Sequence, residues 1–581
     1  MKTIRRSALA IMPAVLLAVL IAMPVRAADD VLNAIPEGSL GFVTVNQLAA
    51  ADDKLVQLGQ KMQLPVPRLL GMLKLSTGLE KGLNEKGSAA MVLMPAENAD
   101  ALPVQILLVP VTDFGQFVGQ FQPDDADAEL VELTVLDNAF LVGRRGRYAV
   151  FAEPKHRDVL QNVLDAPRRV PEDAKPMQPW LGENDVAAFI TRRGVELLAA
   201  KGQEGLQQIR AELEKAPAEL KKDMEAALAV FGIYEDLLKA IGNEVTAYGI
   251  GLRIDDGGAV WLADWARLNP KGRLAKVLAD VGPPERDLLA GLPAGPFVVV
   301  AAGVLPEELG KAMIDLSIDI MKAAPQMYGL DEQQVARLAE LSAGSMAGVR
   351  GMSMMLGVGE LGQPLYDNMA FTMTVDDTED YLARYRKTIE RFNQLVAGVE
   401  QSILKTTELS DVEIDGRPAL KISMEFPITP ELEQLPGYDE IMKKMFGPDG
   451  KMTTYMAAVD DHTIVASYTR AELLRQSLAV IKGDKPGLTT DEQLAKTAAV
   501  LPAGAQWVGY WSPQGTIDLI NRAIPAFVPP AEAAFQLPAF PATPPIGLAA
   551  KTVPGGVRGY LVVPAEVIRG IGELVAKVKQ L

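Results

Sequence analysis

One short pattern in this chain has the residue types and the spacing of a catalytic motif. Ser402 and Lys405 stand in the Ser-x-x-Lys arrangement, in which a lysine helps to activate a serine nucleophile. The Ser-Asp-Asn and Lys-Thr-Gly motifs that accompany it in enzymes are missing, and the nearest match, at 496–498, lacks the glycine. A pattern with two fixed positions arises readily by chance in a long chain, so we assign no catalytic role to Ser402.

Two further groups of residues have the ligand types of a metal site. The acidic segment Asp124–Glu129 offers carboxylate oxygens to Ca²⁺, but it lacks the glycine and the distal glutamate of a calcium loop. This departure favours a solvated acidic turn. Thioether sulfurs, which suit Cu(I), are concentrated around one predicted hairpin, although methionines more commonly fill cores. These methionines are Met352, Met354, Met355, Met369 and Met373.

Composition restricts the remaining chemistry. The chain has no cysteine, which excludes disulfides, thiolate ligands and thiol nucleophiles. Its only histidines are His156 and His462, so the chain cannot supply a site with three histidine ligands. Tryptophan pairs that share a strand face can stack on sugar rings, although core packing is their commoner use. The two pairs are Trp261 with Trp265, and Trp507 with Trp511.

Most clusters of acidic residues are explained by their neighbours in sequence. Residues 376–380 precede a helical pattern and predict its N-terminal cap, with Thr378 as the capping residue. Asp255-Asp256 and Asp415-Gly416 lie between apolar runs and predict hairpin turns. Two carboxylates that meet only in space, as in glycoside hydrolases, leave no such signal. The sequence therefore assigns no catalytic, cofactor-binding or metal-ligating residue.

The first 27 residues have the order of features of a secretory signal peptide. Lys2, Arg5 and Arg6 precede an apolar run over 8–23, and a small-residue site ends at Ala27. We expect cleavage after Ala27 and a periplasmic or secreted protein, the alternative being a retained N-terminal anchor. The uncharged stretch 288–305 contains two prolines and predicts a buried strand, so we expect no membrane span after cleavage.

The charge of the chain limits its partners. It has 57 basic and 74 acidic side chains, a net charge of −17, and removal of the signal segment makes this charge more negative. Nucleic acids require cationic protein partners, and anionic lipid surfaces also attract cationic proteins. The negative charge of this chain therefore disfavours nucleic acids and anionic lipid surfaces as partners.

Two kinds of sequence element recur along the chain. A strand follows a Pro-x-Gly turn in three places, and a degenerate fourth copy occurs near Trp180. Hairpins follow each copy, because apolar runs flank turn-forming residues. The strands are 40–45, 186–191, 297–301 and 506–511. The hairpins are 89–94 with 104–109, 246–254 with 260–266, 351–358 with 369–375, and 548–553 with 558–563.

A third repeated segment indicates a duplication. Residues 147–164 and 461–478 align at an offset of 314, which pairs Ala152 with Ala466 and Leu160 with Leu474. The repeats predict a first half over 28–281 and a second half over 282–581, each with two α+β units. The second half contains a Pro/Ala-rich insertion at 524–546, which we interpret as an apolar cover rather than an exposed strip.

The order strand, helix, strand, strand, helix predicts an α+β fold of tandem, internally duplicated ferredoxin-like units with antiparallel sheets. This layout resembles a family of exported bacterial repeat proteins with no assigned activity, on residues 35–45, 292–300 and 147–164. The resemblance implies no catalytic residues. We expect a non-enzymatic envelope protein that binds a protein or an extracellular polymer. The alternatives are a carboxylate-dependent hydrolase of glycan or peptide, and a module responsive to calcium or copper.

Overall fold

The computed structural model describes residues 31–98, 101–215, 232–323, 332–344, 346–397, 405–425, 437–527 and 536–579. The predicted signal peptide, Ser402 and residues 528–535 of the Pro/Ala-rich insertion lie outside these residues. Within them the fold is α+β, as predicted, and every strand pairing is antiparallel. None of the described helices combines the length and the apolar character needed to cross a bilayer.

The chain forms two compact units that do not follow chain order. The first unit contains residues up to 200, together with 241–272 and 553–576. The second unit contains 201–240, 273–552 and 577–581. The predicted boundary near 281 refers to sequence repeats, and it stays a prediction.

The first unit contains ten of the described strands. Their bounds are β1 Gly41–Val45, β2 Ala89–Met94, β3 Val104–Pro110, β4 Leu130–Val135, β5 Asn138–Arg145, β6 Tyr148–Ala152, β7 Val186–Ile190, β8 Val245–Ile254, β9 Val260–Leu268 and β19 Gly556–Val563. Their order across the sheet is β4-β5-β6-β3-β2-β1-β7-β8-β9-β19.

The second unit contains the other nine described strands. They are β10 Phe297–Val304, β11 Val349–Gly357, β12 Met369–Val375, β13 Thr407–Ile414, β14 Arg417–Met424, β15 Met452–Asp460, β16 Thr463–Tyr468, β17 Trp507–Trp511 and β18 Ile546–Val553. Their order is β13-β14-β15-β16-β12-β11-β10-β17-β18. Up to β18, this order corresponds strand by strand to that of the first unit, with β13 added at one edge.

Helices occupy the connections between these strands. They are α1 Leu48–Lys61, α2 Leu69–Thr77, α3 Phe114–Gly119, α4 Arg157–Asp165, α5 Gln178–Glu183, α6 Arg192–Glu214, α7 Arg273–Ala279, α8 Glu307–Ala323, α9 Glu332–Ala343, α10 Thr378–Ala397, α11 Tyr438–Phe446, α12 Ala471–Lys482, α13 Glu492–Ala498, α14 Pro513–Phe527 and α15 Ala565–Val578. Residues 232–244 are also helical.

The strand order differs from that of ferredoxin-like units. A split βαβ unit places another strand between its first two strands, whereas β1 pairs directly with β2, and β10 pairs directly with β11. The reason is that two helices, not one, fill each connection: α1 with α2, and α8 with α9. A helical pair returns the chain to the end of the strand it left, so the next strand runs antiparallel beside the first.

The same helix start follows β7 and β17. The hydroxyl oxygens of Thr191 and Ser512 accept hydrogen bonds from the backbone N–H groups of Gly194 and Gly515, at 3.3 and 3.0 Å. A Cβ at either glycine would lie about 2 Å from a backbone carbonyl oxygen, that of Leu40 or Phe297. Glycine is therefore required where each helix touches the neighbouring strand.

The repeated segments at 147–164 and 461–478 correspond in the structure, but their strands do not keep the register of the sequence alignment. Leu160 and Leu474 are both buried residues of the helices that follow β6 and β16, α4 and α12. Ala152 shares a core with Leu160, but Ala466 lies in a different core from Leu474. Side chains alternate between faces along a strand, so the strands correspond with a shift of one residue from the offset of 314.

Substitution of Gly194 by alanine tests this helix contact. Gly194→Ala should destabilise the protein by about 1–3 kcal/mol, because the added methyl group meets backbone and not a flexible side chain. Gly205→Ala in the same helix meets nothing within 4 Å and should raise the stability by up to about 1 kcal/mol. Chemical denaturation of both variants measures the difference, and equal effects would contradict the packing described.

Candidate ligand-binding pocket

The first unit contains a pocket of about 400 Å³. Its floor is one face of the sheet, made by alternate residues of β2, β3, β5 and β6, and its walls are helices α1, α2 and α3. The lining residues are mainly aliphatic and aromatic. From the helices they include Leu48, Leu70, Leu73 and Phe117, from the turn after α3 Phe121, and from the strands Met91, Leu107, Val109, Phe140 and Phe151.

The pocket exists because α3 is short. Helix α3 has six residues, whereas α10, which follows the corresponding strand of the second unit, has twenty. In the second unit, Tyr381 and Ile389 of α10 pack into the core on the sheet. In the first unit, only the segment around Phe117 covers the corresponding face, so α1 and α2 enclose the remaining space.

Four phenylalanines form a continuous wall on one side of the pocket. The ring centroids of Phe117 lie 6.0 Å from those of both Phe121 and Phe151, and Phe151 lies 6.1 Å from Phe140. All three contacts are edge-to-face, the arrangement that the charge distribution of aromatic rings favours. Because each ring is held by its neighbours, the wall is rigid and apolar.

The acidic groups that line the pocket already have partners. Asp52 accepts a hydrogen bond from the backbone N–H of Leu70 at 3.2 Å, and its carboxylate lies 3.7 Å from the guanidinium of Arg68. The Glu153 carboxylate lies 2.6 Å from the ammonium of Lys155. Asp52 thereby ties α1 to α2, which is a structural task. The exposed side chain of Gln105 supplies a neutral polar group.

A buried ion pair fixes α1 against the sheet. The Lys54 ammonium donates a hydrogen bond of 2.5 Å to the Ile254 carbonyl and lies 4.0 Å from the carboxylate of Asp185. Asp185 is fully buried and accepts a 2.6 Å hydrogen bond from the Ile254 backbone N–H. Burial raises the pKa of Asp185 to about 6, and lowers the pKa of Lys54. Leu48 and Asp52, on the same helix, line the pocket.

The residues that the sequence offered for chemistry do not meet in this pocket. Ser402 lies outside the described residues. The acidic segment 124–129 is largely exposed, and the described residues contain no group of three or more histidine, aspartate or glutamate side chains that could hold a metal. His156 lies in a short 3-10 turn of the first unit, and His462 lies in the second.

The methionines of the hairpin are buried or half-buried except Met352, which is 40% exposed. Met352, Met354, Met369 and Met373 share one sheet face, while Met355 points to the other. Met373 lies in a core, where its sulfur is 3.9 Å from the hydroxyl of Tyr381.

The tryptophan pairs are also largely occupied. Trp265 is 6% exposed, with the Arg558 guanidinium 3.6 Å from its ring centroid, and Arg253 covers Trp261 at 4.7 Å. Trp507 lies over Gly303, where a Cβ would clash with its ring. Trp511 remains 45% exposed.

The acidic turns and caps fall where the sequence predicted them, with one correction. Asp415 and Gly416 form the turn of the β13–β14 hairpin, both with positive φ. The side chain of Asp377, not Thr378, caps α10, accepting a 2.8 Å hydrogen bond from the backbone N–H of Asp380. The Thr378 hydroxyl instead donates to the Asp460 carbonyl.

Sequence reasoning missed the pocket. Its lining residues read as ordinary core positions, because a residue that faces a cavity has the same chemistry as one that faces a packed neighbour. The available signal was a difference between repeats: the segment after 104–109 carries a much shorter helical pattern than the segment after 369–375.

The Asp185 carboxyl should make stability depend on pH. Its folded pKa lies above the unfolded value of 3.8, so the folded protein holds a proton that the unfolded chain releases between 3.8 and about 6. The free energy of unfolding should therefore fall as the pH rises through this range, by an amount of the order of 3 kcal/mol at ~1.4 kcal/mol per pKa unit. Asp185→Asn should remove this fall, as measured by denaturation across the range. Asp124→Asn, in an exposed turn, is the control, and an identical pH profile for wild type and Asp185→Asn would contradict this assignment.

Comparisons with known proteins give no family for this fold or this pocket. The chain matches no protein-family model. No curated protein and no solved structure matches it either. Function therefore has to be inferred from the chemistry of the pocket.

Proposed function

We propose that this protein is an exported, non-enzymatic binding module, whose first unit holds an apolar small molecule with an extended hydrocarbon part, such as an acyl chain. The observation that carries the proposal is the 400 Å³ pocket with its aliphatic and aromatic lining. A polymer or protein partner, which the sequence suggested, has no comparable support in the described residues. The expected non-enzymatic binding role is retained, with an apolar small molecule as the ligand in place of a protein or polymer.

Size and lining support this ligand class. Pockets for small molecules have volumes of about 300–1,000 Å³ and are mostly apolar, with a few polar groups that orient the ligand. Each methylene group that leaves water for such a site contributes about 0.8 kcal/mol. A chain of several methylenes lying along the Phe117–Phe151 wall would thus gain enough to offset the cost of immobilisation.

The polar groups of the lining suit a neutral or weakly polar end. Gln105 is exposed on the strand that carries Leu107 and Val109, so its amide can donate to or accept from the polar end of a ligand. Asp52 and Glu153 are each paired with a cation. Because both carboxylates already have ionic partners, they support a binding role over the alternative of a carboxylate-dependent hydrolase.

We also propose that the two units descend from an internal duplication. The shared strand order supports it, as do the equivalent glycine-containing helix starts at Gly194 and Gly515. A further parallel is the aspartate cap of the helices after β3 and β12, formed by Asp113 and Asp377. In this account one copy kept a filled core, and the other acquired a pocket when its helix shortened.

Binding of N-undecyl dansylamide, a fluorescent probe with an undecyl chain and a neutral polar end, tests the proposed function. We expect its fluorescence to rise and shift to shorter wavelength with the wild-type protein, with saturation at one site. Leu107→Trp places an indole in the pocket and should weaken the affinity at least about tenfold, since several methylene contacts are lost.

Leu107→Ala is the matched control, because it alters the same position and enlarges the pocket. It should retain binding while lowering the stability by about 2–3 kcal/mol. Thermal unfolding establishes that both variants are folded. Equal affinity of Leu107→Trp and wild type, or no saturable signal with wild type, would refute the proposed site.

A further inference from the structure

We infer that the outer face of α2 docks on a lipid bilayer, so that an apolar ligand passes between the membrane and the pocket behind this helix. The inference rests on the proposed binding of an apolar ligand by the first unit. It adds the partner from which the ligand comes and to which it returns.

Helix α2 is apolar on both of its sides. Leu70 and Leu73 point inward and line the pocket. On the outer side Met72 is 54% exposed and Leu75 is 86% exposed. A surface helix of a soluble protein normally presents polar residues to water, so these two side chains form apolar surface of the kind that a partner covers.

The charge around α2 is balanced, unlike that of the whole protein. Residues 61–81 carry four basic side chains and one acidic one, whereas the whole chain has a net charge of −17. Asp52, Asp53 and Glu85, outside this segment, pair with two of these cations, so four acidic groups face four basic ones. This surface therefore lacks the excess negative charge that would repel an anionic bilayer, and its exposed apolar side chains can enter the membrane interface.

Continuity with the pocket selects a bilayer over a protein as the occupant. The helix that carries the exposed Met72 and Leu75 is the same helix that closes the pocket through Leu70 and Leu73. A ligand that is insoluble in water has to reach the pocket without crossing water. A membrane in contact with the outer face of α2 provides that route, since only one helix then separates the acyl region from the pocket.

Flotation with phosphatidylcholine vesicles, with and without a minor fraction of phosphatidylglycerol, tests the docking surface. The full-length mature protein should float with both kinds of vesicle. The double variant Met72→Gln/Leu75→Gln keeps good helix-forming residues and should bind vesicles at least about tenfold more weakly. Leu102→Gln removes a side chain that is equally exposed, at 87%, but lies outside α2, and it should float as wild type does.

Two further measurements separate this inference from the proposed function. Without vesicles, Met72→Gln/Leu75→Gln should bind N-undecyl dansylamide as wild type does, and Leu107→Trp should still float. Failure of wild type to float, or equal flotation of the double variant, overturns the docking surface and leaves the pocket intact. Sedimentation that shows a wild-type dimer and a monomeric double variant also overturns it, because the patch would then join two copies of this chain.

Discussion

The pocket wall of the first unit depends on the buried pair of Lys54 and Asp185. An ammonium and a carboxylate are costly to remove from water, and the two backbone hydrogen bonds with Ile254 reduce that cost on both sides. Lys54 therefore sets where α1 meets the sheet. The position of α2 depends on that of α1 through Asp52, which accepts a hydrogen bond from the first turn of α2. The two walls of the pocket thus derive their position from one polar contact on the far side of α1.

The two units use the same sheet face in different ways. In the second unit, a twenty-residue helix covers the face with tyrosine and aliphatic side chains. In the first, a six-residue helix leaves the face partly open. A packed core and a pocket differ here in the length of one helix, while the strand order is the same. A pocket that forms in this way needs no new fold, since the sheet already supplies its floor.

The sequence predicted local elements well and long-range arrangement poorly. The hairpins at 89–94 with 104–109 and at 351–358 with 369–375 were predicted from the alternation of apolar and polar residues and from turn residues, which act over a few positions. The ferredoxin-like order was wrong for the described strands because a second helix in each connection reverses the chain. In the first unit the sequence did not predict this second helix, since α2 is short and apolar. Asp377 replaced Thr378 as cap because both types accept the same hydrogen bond, and geometry alone decides between them. The pocket was missed because a residue that faces a cavity has the same chemistry as one that faces a packed neighbour, and only the shorter helical pattern after 104–109 distinguished the two units.

The last described strand, β19, completes the sheet of the first unit. Strand β19 pairs with β9 along its whole length, although nearly the entire second half of the chain separates them in sequence. Until β19 is synthesised, the backbone groups on that side of β9 have no strand partner, and an unpaired edge invites association with other chains. The N-terminal unit is therefore finished only when the C-terminus arrives. The sheet of the first unit thus depends on nearly the whole length of the chain, and a product that ends before residue 556 would keep an open edge at β9.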